Sequence, residues 1–384
     1  MTAHDRSVRL EAARTRIRAA FNWAEPADPP IIVWPLHYIV FGTAPDKLPL
    51  DLFDNPASLM AFQQHICEAH LAAIQDDFVP YLTPYYGTGV LASAFGVETR
   101  FAPGRDPSAG EPCLHTHADV ARLRLPNPER DGLMPRVLEA AAYMRAHGDY
   151  PVALTDMQSP LDELALMCGH ERLYLWMYDE PAMLHELFTL VTDAFIAWVR
   201  AQKAVTGEPL DVCYGEQGVW IPSPCGVWLA DDEAVNLPPH LYEEFIVPQY
   251  ERVFRAFGGG VLHFCGNGAH LGPIIRRMEG VRAVNTGPMG RPEHLAKLQT
   301  ALGGSIPIIY QELSPAEPEV YFRALFGRLS LRGLVIAPQV TDRVAGGPNG
   351  AFVALEQERE QAAVRILAVI RAALAEAGLP PTRE

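Results

Sequence analysis

Apolar residues along this chain fall into two alternating rhythms. Short continuous runs of four to six apolar residues read as buried strands. They are separated by longer stretches in which apolar positions recur every three to four residues, the spacing of an amphipathic helix. The first helical stretch covers residues 7–23, with Val8, Leu10, Ala13, Ile17 and Ala20 on one side, and Pro26, Pro29 and Pro30 break it. Ile31-Ile-Val-Trp34 is then a short strand ending at Pro35-Leu-His37. The pattern predicts a helix over 56–75 and a strand over 78–83 that runs into Tyr85-Tyr86-Gly87-Thr88-Gly89. Residues 102–113 are rich in Pro and Gly and read as a surface loop, and a helix follows through about 147.

From Pro151 the rhythm is regular. Val152-Ala-Leu-Thr155 is a strand ending in Asp156-Met-Gln158-Ser-Pro160. Asp179-Glu-Pro181 opens a helix, with carboxylates in the first turn and Pro early, that carries Leu184, Leu187, Phe188, Val191 and Phe195 to about Val205. Leu210-Asp-Val-Cys-Tyr214 reads as the next strand, and a helix over 239–257 is stopped by Gly258-Gly-Gly260. Strands at 260–265, 281–285, 306–310 and 333–337 follow, each leading into a helix, at about 271–279, 292–302, 316–328 and 350–377. Eight apolar strands alternating with amphipathic helices, and no Gly-rich phosphate loop after the first strand, predict an α/β fold: a closed (β/α)8 TIM barrel. The chain reads as one barrel domain over 1–384, with 1–30 as an N-terminal helical extension.

Composition narrows the function classes. With 49% hydrophobic and 20% charged residues, the chain can bury a large core. A formal net charge of -15 argues against nucleic acid as a partner, since phosphates need a basic footprint. It argues equally against anionic lipid surfaces. By eye, no run of about 18 uncharged apolar residues stands out as a membrane span. The start of the chain lacks the apolar segment of a secretory signal. Six scattered cysteines with no CxxC pair suit a reducing compartment, so a cytoplasmic enzyme is expected.

In such a barrel the working residues stand at the C-terminal strand ends and in the loops that follow. Those ends offer Trp34 and His37, Tyr85 and Tyr86, Asp156 and Gln158, Cys213 and Glu216, His263 and Cys265, Asn285, Gln311 and Glu312, and Gln339 and Asp342. The sharpest item is His263-Phe-Cys265, followed by Gly266-Asn-Gly268. Strand side chains alternate, so His263 and Cys265 point to one side, and imidazole nitrogen and thiolate sulfur are the ligand types zinc prefers. The alternative is a satisfied core histidine beside a buried cysteine. Asp231-Asp232 reads as a loop before a helix, either capping that helix or sending a carboxylate to the barrel mouth. Asp156, Glu216 and Asp231 are the candidates for acid–base work. His37, Tyr85, Tyr86, Gln158, Asp232 and Asn285 are candidates for binding substrate. His115 and His117 read as surface residues. Aromatics such as Trp34, Tyr85, Tyr86 and Trp220 hint at an aromatic or methoxylated substrate.

Several of these segments resemble the uroporphyrinogen decarboxylase superfamily. Val261-Leu-His-Phe-Cys-Gly-Asn267 is similar to the HxCGN element of its methylcobamide:coenzyme M methyltransferases. Leu241-Tyr-Glu-Glu-Phe-Ile-Val-Pro248-Gln-Tyr250 resembles the superfamily's YeeFvlPyy helix, Asp231-Asp232 its acidic pair, and Asp156-Met-Gln-Ser-Pro160 its strand-end element. The resemblance implies a barrel enzyme that moves a methyl group between a small substrate and a corrinoid or thiol acceptor. It implies zinc on the His-x-Cys pair and a corrinoid carried by a separate small protein; a homodimer is left open. Two departures stand out. The Arg-rich element with which the decarboxylases clamp substrate carboxylates is replaced by Trp34-Pro-Leu-His37-Tyr-Ile-Val, without Arg. The Cys expected after the last strand is missing from Ala337-Pro-Gln339-Val-Thr-Asp342. Gln339 is taken as the replacement third ligand, with Asp342, Glu312 and Glu216 as alternatives. A metal-free decarboxylase-like lyase and a non-catalytic small-molecule binding protein are the competing readings.

Overall fold

The computed structural model describes residues 3–23, 29–33, 51–102, 106–287, 289, 291–313, 315, 317–339 and 356–377. His37, Trp34 and Asp342 lie outside the described residues.

Five strands form one parallel sheet in sequential order: β1 (Val227–Ala230), β2 (Gly260–Phe264), β3 (Val281–Thr286), β4 (Ile308–Leu313) and β5 (Leu334–Gln339). Three extended segments close it. Residues 31–33 bridge β5 through the parallel pair Ile31 and Ile336, with Ile32 N–H donating to Ile336 O at 2.8 Å. Asp77 N–H donates to Ile31 O at 2.8 Å, which joins the next segment to the first. Leu82 pairs with Val152, and Gln158 pairs with Ala230 of β1. Eight segments therefore follow one another around a ring, all pairing parallel where a pairing is recorded. The fold is a (β/α)8 barrel, as the strand count predicts.

Two buried clusters separate its inside from its outside. Ile32, Val79, Trp228, Val261, Ala283, Ile309, Val335 and Ala337 belong to one; Val227, Leu229, Leu262, Phe264, Val284, Ile308, Leu334 and Ile336 belong to the other. Alternate residues of each strand fall in different clusters, as the two-residue period demands. The first cluster fills the lumen, and the second packs beneath the surrounding helices. The N-terminal helix α1 (Ala3–Phe21) contributes Ala13, Ile17 and Ala20 to the lumen cluster and so covers one barrel end.

The sequence reading places one strand wrongly. Cys213–Glu216 is not a barrel strand but half of an antiparallel hairpin with Val219–Ile221. Its Cys213, Val219 and Ile221 lie in the lumen cluster, and Gly218 N–H donates to the Tyr81 hydroxyl at 2.8 Å. A Cβ on Gly215 would come within 2.2 Å of the Tyr81 ring, so only glycine lets the hairpin sit there. The true fourth segment is Val227–Ala230, read from sequence as part of the loop that carries Asp231-Asp232. Trp220 belongs to this hairpin, with Arg14 and Arg18 of α1 over its ring at 6.0 and 5.2 Å. It stands at the α1 end rather than beside the strand ends.

One helix among the described residues, Pro181–Thr206, is long and apolar enough to cross a membrane, although the sequence reading found no such stretch. Half of its apolar window is buried in the protein, with Leu184, Phe188, Phe195 and Trp198 in the outer cluster, which fits a core helix of the barrel wall. Glycine ends it at Gly207, in the left-handed region at φ 79°.

Candidate metal centre

Alternation places Trp228, Ala230 and Asp232 on the lumen side of β1, and Val261, His263 and Cys265 on the lumen side of β2. Ala230 pairs directly with His263. The residues two further along therefore meet at the same level, just past the strand ends. Asp232 Oδ1 stands 3.3 Å from His263 Nε2, and Cys265 Sγ stands 3.6 Å from the same nitrogen. Cys265 N–H donates to Asp232 Oδ1 at 3.0 Å. One ligand atom from each of the three lies within 4.8 Å of the others. Gly266 follows with φ 84°, the left-handed turn that takes the chain off the strand right after Cys265.

The histidine is buried and its surroundings are specific. Its Nδ1 meets the Asn285 Oδ1, and Asn285 Nδ2 donates to Ile309 O at 3.0 Å. The Trp228 ring stacks beside the imidazole, with centroids 6.2 Å apart and planes 23° apart. Burial disfavours the imidazolium, yet Asp232 and Cys265 together hold the His263 pKa well above its usual value. Partial burial likewise works against ionisation of Asp232, but the His263 and Cys265 hydrogen bonds and the imidazolium charge bring its carboxyl down to about 2. A carboxylate, an imidazole and a thiol converging on one point are a natural cage for a cation. Such a cation would take the place of the proton.

The acidic pair divides between two environments. Asp231, offered from sequence as an acid–base residue at the mouth, is fully buried on the opposite side of the strand. Its Oδ1 accepts from Ser159 Oγ at 3.2 Å and its Oδ2 from the Tyr242 hydroxyl at 3.0 Å. Burial is the main reason its carboxyl rises to about 7, against the hydrogen bonds of Tyr242 and Ser159. Asp232, offered as a substrate ligand, is the one that reaches the cluster. Asp162 holds the turn between them, accepting from Asp232 N–H at 2.8 Å and Glu233 N–H at 3.0 Å.

Asp156 and Gln158 are buried at the neighbouring strand end, and Gln158 Nε2 donates to Asp156 Oδ1 at 3.2 Å. Burial raises the Asp156 carboxyl to about 6, while Gln158 and the His263 charge pull the other way. Tyr85 is buried and hydrogen-bonded to Asp106, whose carboxyl burial pushes up to about 6. Tyr86 instead faces the outer helices, under the Arg136 guanidinium at 5.4 Å. Glu216 lies buried at the hairpin tip, and its charge is felt by Tyr81 and Tyr85. Asn285, read as a substrate ligand, has both ends of its amide engaged by protein.

The third donor is the main correction. Asp232, from a strand end that sequence did not reveal, completes the cluster. Gln339 closes β5 on the lumen side, three strands farther round from β2. Glu312 lies on the outer side, accepting from the Tyr321 hydroxyl at 2.6 Å and also bonded to Tyr310. Sequence reasoning passed over Asp162, Asp106 and Trp228. Only the register of β1 would have signalled Trp228.

The family model for uroporphyrinogen decarboxylase (URO-D) matches residues 63–208. Over that stretch the chain is similar to the uroporphyrinogen decarboxylase superfamily. Among curated relatives, the uroporphyrinogen decarboxylase of Xylella fastidiosa is 26% identical over 210 residues, 51% of this chain and 53% of the relative. That of Xanthomonas axonopodis pv. citri is 27% identical over 199 residues, 48% of this chain and 51% of the relative. The chain thus spans about half the length of the curated relatives it matches. A solved methyltransferase from Methanosarcina mazei shares the fold at TM-score 0.63 and 17% identity, over 95% of this chain and 98% of that one. The family match ends at residue 208, before β1 and β2, so the Asp232-His263-Cys265 group lies wholly beyond it.

Proposed function

We propose that this chain is a methyl-transfer enzyme whose divalent zinc is held by Asp232, His263 and Cys265. The observation that carries the reading is the convergence of carboxylate oxygen, imidazole nitrogen and thiol sulfur within 4.8 Å at adjacent strand ends. Three protein ligands of these types leave the fourth zinc position open, the arrangement of catalytic rather than structural sites. When bound, zinc favours thiolate over thiol at neutral pH and so supplies an activated sulfur acceptor.

The chain's own residues do the rest. Asp232 and Cys265 bring negative charge to the centre, and His263 brings a neutral donor. Asp156, with its carboxyl near 6 beside the cluster, is suited to give a proton to the departing heteroatom and to recover it near neutral pH. In transfer from a methylated substrate to a thiol, the carbon–heteroatom bond would break as the sulfur–carbon bond forms, the thiol releasing its proton and the departing heteroatom taking one from Asp156. A bound corrinoid would supply an alternative methyl carrier. The missing Arg element makes a polycarboxylate substrate a poor match. A corrinoid presented by a separate small protein and a cytoplasmic location belong to the same proposal.

The test is methyl transfer from methylcobalamin to a small thiol, followed by the change in corrinoid absorbance. Turnover that disappears in Cys265→Ser and after chelation supports the reading. Turnover untouched by both sinks the metal role. A second reading rests on Asp156 alone: a metal-free lyase in which this buried acid protonates a carbanion. Under that reading activity on a carboxylate substrate survives Cys265→Ser and is lost in Asp156→Asn.

A further inference from the structure

We infer that Asn285 is a positioning residue that selects the tautomer of His263 and aims its Nε2 at the metal. The inference rests on the metal reading above and goes one shell outward from it.

His263, Asn285 and Ile309 are register partners on three adjacent strands: His263 pairs with Asn285, and Asn285 pairs with Ile309. The three form one hydrogen-bonded row across the lumen. Asn285 Nδ2 donates to Ile309 O at 3.0 Å, which is an acceptor only. Flipping the amide would set its oxygen against that carbonyl oxygen, so the amide orientation is fixed by the sheet itself. Its Oδ1 is thereby turned to His263 Nδ1. An amide oxygen accepts and cannot donate, so Nδ1 must carry the hydrogen. In the neutral ring the lone pair is then left on Nε2, the nitrogen that faces Asp232 at 3.3 Å and Cys265 at 3.6 Å. Asn285 is fully buried, and His263 is nearly so, so no bulk water can substitute for either contact. A neutral amide does this without adding a second carboxylate to a ligand set that already holds Asp232 and Cys265.

A merely structural Asn285 would tie β3 to β4 and leave metal affinity alone. The full-length protein, stripped of metal and refolded state checked by circular dichroism, is titrated with Co2+ while the visible d–d bands are recorded. Asn285→Leu, which fills the volume but offers no acceptor, is expected to weaken Co2+ binding by about 10- to 100-fold, the range for lost outer contacts of a metal ligand. Asn285→Asp keeps an acceptor for Nδ1 but sets its second oxygen against Ile309 O, and is expected to bind Co2+ more tightly than Asn285→Leu and more weakly than the wild type. Equal affinity in wild type and Asn285→Leu would overturn the inference while leaving the metal reading intact. No Co2+ bound by the wild type would instead defeat the metal reading itself. A second measurement does not depend on any variant folding at position 285. In zinc-loaded protein labelled with 15N-histidine, the ring signal assigned through His263→Gln is expected to show protonated Nδ1 and metal-bound Nε2. The reverse assignment would overturn the proposal.

Discussion

Asp231 and Asp232 are neighbours in sequence, yet the fold gives them opposite chemistry. Asp231 points outward, is fully buried, and rises to about 7 because its charge is cut off from water. Asp232 points into the lumen, stays half open, and falls to about 2 beside His263. The first tyrosine-lined acid ties β1 to the surrounding helices through Ser159 and Tyr242. The second is placed to hold a cation. The contrast comes from the two-residue period of a strand, not from any difference between the residues.

Substitutions on the two faces should therefore fail in different ways. Asp232→Asn is expected to lower Co2+ or Zn2+ affinity by more than about 100-fold, since losing a direct ligand exceeds the cost of losing an outer contact. Its apo protein should melt close to wild type. A chelator-competition titration beside a melting curve checks both, and an unchanged affinity would break the comparison. Asp231→Ala should do the reverse. It leaves the Ser159 and Tyr242 hydroxyls buried without their acceptor, for a loss of about 3 kcal/mol in urea unfolding. Its metal affinity, measured on the folded fraction, should stay within a few-fold.

Asp106 sharpens the picture on the tyrosine side of the site. Its folded pKa of about 6 lies above the unfolded carboxylate value near 3.9. The neutral form is favoured in the folded state, so its contribution is full below about pH 4 and is lost as pH rises toward 6. Asp106→Asn should therefore gain on wild type by up to about 3 kcal/mol between pH 4 and 7, with no further gain above. Parallel stability curves would count against a buried Asp106. The smallest effect is Tyr242→Phe, which removes one hydrogen bond from Asp231 for about 1 kcal/mol and leaves metal binding unchanged.

Much of this was legible in the chain. The barrel came from the rhythm of apolar runs, and His263 with Cys265 came from the two-residue spacing on a strongly apolar strand. What escaped depended on β1. Val227–Ala230 stands directly before Asp231-Asp232 and reads with them as loop, whereas the segment read as a strand at Leu210–Tyr214 yields the lumen hairpin strand Cys213–Glu216. With β1 unread, nothing could say which of Asp231 and Asp232 faced His263, and the third donor was sought in Gln339 instead. Asn285 reads from sequence as a strand-end candidate for binding substrate, but its partners lie on two other strands, and only register puts them in a row. Tyr86 and Trp220 were misplaced for a related reason: an aromatic side chain suits the outer wall or the floor of a barrel as well as its mouth.

The central claim is that Asp232, His263 and Cys265 together hold one divalent ion. Elemental analysis of purified wild type, Asp232→Asn and Cys265→Ser, after dialysis against micromolar zinc and then metal-free buffer, tests it most directly. The account predicts close to one zinc per wild-type chain and well under half of that in either variant. Wild type without zinc, or variants that retain as much as wild type, would contradict it.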